Sequence, residues 1–95
     1  MLTVAHTTKD KEKLLLRVRK IRGQIDALER ALAEEAECAD VLQLMAASRG
    51  ALNGLMAEVI EGHVRFHVLP PHAAANSPQV EAAEDLIDIV NAYLK

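Results

Sequence analysis

The chain is short of most of what other protein classes are built from. It has no tryptophan, one phenylalanine and one tyrosine in 95 residues, so its core has to be aliphatic. In so small a domain, an aliphatic core points to stability supplied partly by association. A single cysteine excludes an internal disulfide and reads as a reduced thiol, which suits a cytoplasmic protein. No signal peptide is apparent, and no apolar run is long enough to cross a bilayer, so no membrane partner is expected. There is no HExxH motif, glycine-rich phosphate loop or Ser-His-Asp arrangement, so neither an enzyme nor an organic cofactor is expected. Helix-turn-helix and zinc-finger spacings are missing as well. The net charge of −3 excludes a uniformly basic nucleic-acid binder.

Alanine, leucine, glutamate and lysine dominate what is present, which predicts an all-α fold in one domain, 1–95. The expected order is an arm at 1–8 and helices at about 9–35, 38–69 and 78–93. Thr7 or Thr8 is the expected N-cap of the first helix. The Leu69-Pro70-Pro71 run stops the second helix, and His72 to Asn76 follows as a loop. Ser77-Pro78 then supplies an N-cap with proline at the first helical position. The third helix, with Val80, Ala83, Leu86, Ile87, Val90 and Tyr93 on one side, has room only to cover the first two.

Charge along the chain says more than its sum. Lys9, Lys11, Lys13, Arg17, Arg19, Lys20 and Arg22 crowd most of the basic residues into the first helix, leaving the rest acidic. Leu14, Val18, Ile21, Ile25, Leu28 and Leu32 form a heptad-like apolar seam there. One residue back runs a polar stripe of Lys13, Arg17, Lys20 and Gln24, widened by Arg19 and Arg22. Cations at helical spacing can follow a phosphate backbone, so this stripe is a candidate DNA contact, with Arg49 of the second helix extending it. The alternative is an ordinary solvated face, with Arg49 snorkelling.

The second helix opens on Cys38 and closes on His63 and His67. The i, i+4 spacing puts both imidazoles on one face, as a shared metal ion requires. Cys38 supplies the third donor by chemistry, yet it lies roughly 37 Å from His63 along a straight helix. Two copies paired antiparallel bring Cys38 of one chain level with His63 and His67 of the other. Their two-fold axis then passes near Gly50 to Leu52. The small residues Ala46, Ala47, Gly50, Ala51 and Gly54 fall in that region and permit close approach, offsetting a cost of roughly 1 kcal/mol per interior glycine. A thiolate with two or three imidazoles suits Zn(II), Ni(II) or Co(II) better than Cu(I). His6 on the arm is a candidate fourth ligand, and Glu61 a candidate partner for an imidazole N–H.

Arg17 to Leu32 (RVRKIRGQIDALERAL), Cys38, and Ala46 to His63 (AASRGALNGLMAEVIEGH) together resemble the CsoR/RcnR/FrmR repressor family across nearly the whole chain. The shared patterns are R-x-R-x-I-x-G-Q and R-G-A-x-N-G-L-M. The resemblance implies a three-helix protomer, an antiparallel dimer and a dimer of dimers. It further implies operator binding by the inducer-free protein and release by the inducer. Cys38 and His63 match the family's core inducer-site pair, and His67 departs from the Cys-His-Cys pattern of copper sensors. His6, Cys38, His63 and His67 match the nickel–cobalt branch, making Ni(II) or Co(II) the expected effector. Arg17, Lys20, Gln24 and Arg49 fall where the family contacts DNA. The formaldehyde branch, in which an N-terminal proline is bridged to the cysteine, is the second reading. Ala5 stands where that proline aligns. A metal-buffering protein without a DNA role is the reading from another class.

Overall fold

A computed structural model describes residues 10–70 and 72–94 of the chain. It contains α1 (Lys11–Ala33), α2 (Cys38–His63) and α3 (Pro78–Leu94), with a π-helical turn over Val64–Val68 extending α2. Among the described residues there is no strand. The N-cap position of α1 is Asp10, whose side chain makes no capping bond. Thr7 and Thr8, the caps expected from the sequence, lie outside the described residues.

The turn between α1 and α2 closes through backbone groups. Ala36 N–H donates to the carbonyl of Ala31 at 2.9 Å, and Glu34 N–H to that of Arg30 at 2.9 Å. Glu35 takes a left-handed φ of 57°, the conformation that ends many helices and more often falls to glycine. Glu37 is extended and its carbonyl accepts from Asp40 and Val41, which starts α2 at Cys38. The two long helices therefore fold back as a hairpin, and the molecule measures 55 × 27 × 19 Å.

Burial divides each long helix into two faces. On α1, Leu14, Arg17, Ile21, Gln24, Leu28 and Ala31 are half-buried at spacings of three and four. On α2 the matching row is Val41, Leu44, Ser48, Ala51, Leu55 and Glu58, of which Ser48 is buried. These rows meet each other. The apolar seam read along α1 is thus split: Leu14, Ile21 and Leu28 turn toward α2, whereas Val18, Ile25 and Leu32 stay exposed.

A buried apolar cluster lies where α2 gives way to α3. Val64, Ala83 and Ile87 are buried together, with Ile60 and Leu69 against them. The π turn ends as Leu69 N–H donates to the Val64 carbonyl at 3.0 Å, and Leu69 itself is extended before Pro70, as a residue preceding proline prefers. Ser77 caps α3: its Oγ accepts from Val80 N–H at 3.2 Å, beside Pro78 at the first helical position. Arg65 fastens the same corner. It donates from Nη1 and Nη2 to the two oxygens of Glu84, at 2.6 and 3.2 Å.

Candidate functional site

Cys38 occupies the first position of α2 and is exposed. His63 ends that helix and is exposed, while His67 sits in the π turn, half-buried. The two imidazole rings lie side by side, their centroids 5.3 Å apart and their planes tilted by 38°. The predicted His pair is therefore assembled within one chain. Cys38, at the far end of α2, does not join it. Among the described residues no three histidine, cysteine or acidic side chains gather closely enough to hold a metal ion. One described protomer supplies two neighbouring donors at one end of a long helix and a third at the other. His6 lies outside the described residues. The Glu61 Oε2 lies 3.4 Å from Arg65 Nε, one helical turn along.

Between those ends, α2 leaves its outward face bare. Leu42, Met45, Leu52 and Met56 are all exposed on it. Ala46, Ala47 and Gly50 are exposed among them, and a side-chain carbon built on Gly50 meets nothing within 4 Å. Gly54 is different. It faces α1, with Arg17 Nη1 3.6 Å from where its Cβ would stand. Arg49 is exposed on the outward face and lines a shallow groove of about 350 Å³ with Leu42, Met45 and Ala46.

The basic stripe of α1 is also divided. Lys13, Arg19, Lys20 and Arg22 are exposed. Arg17 and Gln24, grouped with them by sequence, belong to the half-buried row toward α2, and the Gln24 Oε1 atom is enclosed. The reason is angular. A stripe one residue behind an apolar seam is rotated by only about 100°, so its edge is shared with the packed face.

Glu58 of α2 holds two of these cations. Its Oε1 is 2.7 Å from Lys13 Nζ and its Oε2 is 2.7 Å from Arg17 Nε. The hydrogen bond to the carboxylate, and then its charge, raise the Lys13 ammonium above the usual lysine range. The Arg17 contact is an ion pair out of hydrogen-bond alignment, since Oε2 is buried without a hydrogen-bond partner among the described residues. Sequence reasoning missed Glu58. Two signals marked it: it is acidic within the apolar second half of α2, and the hairpin register brings it level with Lys13.

The comparisons with known proteins agree with one another. A family model described as metal-sensitive transcriptional repressor matches residues 10–92. The chain is 44% identical over 92 residues to a transcriptional repressor, RcnR, of Salmonella paratyphi B, covering 97% of this chain and all of that one. It is 49% identical, with the same coverage, to an uncharacterized protein in the bioA 5′ region of Serratia marcescens. Among solved structures it is similar to a variant of the formaldehyde-responsive regulator FrmR from Salmonella enterica serovar Typhimurium. That match has a TM-score of 0.65 and 42% identity, covering 93% of this chain and 98% of the other.

Proposed function

The chain belongs to the metal-sensitive transcriptional repressor family, a family of regulators rather than enzymes, and we propose that it is an operator-bound repressor released by Ni(II) or Co(II). The metal site in this reading is shared between two chains. One observation carries it: the thiol and the imidazole pair stand at opposite ends of α2, and the face between them is apolar, exposed and small at its middle. Antiparallel pairing of that face covers Leu42, Met45, Leu52 and Met56 and brings Cys38 of each chain to the partner's His63 and His67. The donor set fits a borderline divalent ion, Zn(II) included, and His6 is proposed as a further donor. A bound ion supplies a cross-link between the ends of the paired helices. Two such dimers form the proposed homotetramer, which presents its α1 cations to DNA.

Release requires that inducer and DNA prefer different arrangements of the same chains, because a ligand shifts an equilibrium only by its differential affinity. The residues proposed to meet DNA are Lys13, Arg17, Arg19, Lys20, Arg22 and Gln24 of α1, with Arg49 of α2. The match to a metal-sensitive repressor family favours a metal effector, and the resemblance of His6, Cys38, His63 and His67 to the nickel–cobalt branch favours Ni(II) or Co(II). Similarity to a formaldehyde-responsive regulator, together with the exposed Cys38 thiol, supports the second reading, in which Cys38 is a nucleophile toward formaldehyde.

The deciding experiment is fluorescence anisotropy on an operator fragment, with Ni(II), Co(II), Zn(II), Cu(I) and formaldehyde titrated separately into the complex. Release by Ni(II) or Co(II), lost in Cys38→Ala and His67→Ala while DNA binding persists, is the expected result. Release by formaldehyde alone assigns the protein to the second reading.

A further inference from the structure

On the operator-binding reading above, we propose that Glu58 is a built-in competitor for the DNA phosphates, holding Lys13 and Arg17 on α2 until the operator displaces it. The carboxylate spends one oxygen on each cation, and the two cations lie one turn apart on α1. Glu58 is the most enclosed of the three side chains, 21% exposed against 65% for Lys13 and 42% for Arg17. The carboxylate is thus the fixed partner and the cations are the groups free to leave. Arg17 is laid back over α2, its Nη1 against Gly54. A guanidinium in that position does not extend outward from α1, so meeting a phosphate requires it to swing away.

The strength of the contact suits a competitor. Pairs this exposed contribute little to stability, and the misaligned Arg17 contact is weaker than a bidentate one. A DNA phosphate, which also releases counterions on binding, can take both cations. Arg19, Lys20 and Arg22 make no ion pair among the described residues. They serve the first encounter, and the clasped pair joins in the tight complex. Glu58 also shares α2 with His63, five residues on, so displacement of that helix end relative to α1 reaches the clasp directly.

The test compares wild type with Glu58→Gln for operator affinity across a salt series, with circular dichroism to show that helix content is kept. The variant is expected to bind about fivefold more tightly. Its plot of log affinity against log salt is expected to keep the wild-type slope, because both proteins place the same cations on phosphate in the tight complex. In a Lys13→Ala/Arg17→Ala background, Glu58→Gln is expected to change nothing, an outcome a purely structural role for Glu58 does not produce. Equal or weaker binding by a folded Glu58→Gln overturns the proposal. If that variant does not fold, NMR of the wild-type Arg17 Nε–H decides: a shift on adding operator supports displacement, and an unmoved signal overturns it. Should the wild type show no salt-dependent binding to promoter DNA, the operator-binding reading itself fails. Salt-dependent wild-type binding with an indifferent Glu58→Gln removes only the competitor.

Discussion

The two ends of α2 are built differently. The His63 end continues through a π turn into a packed corner, where Val64, Ala83 and Ile87 are buried and Arg65 grips Glu84. Among the described residues the Cys38 end has only the α1 hairpin beside it, and Leu42, 58% exposed, stands open to solvent. One chain therefore finishes the imidazole end of the proposed site and leaves the thiol end without third-helix support. A partner chain paired antiparallel sets a finished end beside each unfinished one. On the proposed pairing, the asymmetry within the protomer is what a symmetric dimer would resolve.

Breaking the packed corner is expected to have the largest effect. Ile87 is 3% exposed in the centre of that cluster, so Ile87→Ala is expected to cost about 3 kcal/mol through lost burial and the cavity left behind. Urea unfolding at fixed protein concentration checks this, because association also contributes to apparent stability. Leu52→Glu attacks the other half of the comparison. Leu52 is 49% exposed and lies near the proposed two-fold axis, where two added carboxylates would face each other. Sedimentation is expected to show smaller species, and Co(II) is expected to lose its thiolate charge-transfer absorption. A dimeric Leu52→Glu that retains the absorption places the axis elsewhere.

Much of this was readable from the residues, and the failures have physical causes. The proline stop at Pro70 and the Ser77 cap follow from local chemistry, since a missing N–H or a well-placed hydroxyl acts wherever the chain goes. The His pair was legible because spacing alone puts both rings on one face. Periodicity found the apolar residues of α1 without showing which neighbour covers them. Leu14 and Val18 look alike in sequence, yet one meets α2 and the other meets solvent. Likewise Arg17 read as solvated stripe and is shared with Glu58. The π turn carried no readable signal, because its wider hydrogen bonding depends on the junction with α3 as much as on Val64–Val68. The proposed Cys38 site rests on helix length, since among the described residues one chain does not assemble it.

The smallest expected effect concerns the strap on the finished end. The Arg65 guanidinium, hydrogen-bonded to Glu84, holds that carboxyl below the usual range, and the hydrogen bond raises Arg65 in turn. A depressed carboxyl favours the folded state above its ordinary, unfolded-state pKa, and the gain is lost as pH falls through the lower folded value. Glu84→Gln is accordingly expected to be slightly less stable than wild type near neutrality, with the two converging on acidification below the carboxylate range. Both groups are substantially exposed, so salt is expected to shrink the difference. Unfolding curves for the two proteins across a pH series, at low and high salt, make the check. Matching stability at neutral pH would mean that apolar contact among Val64, Ala83 and Ile87 holds the corner unaided. A difference that grows toward acid would assign the strap the wrong sign.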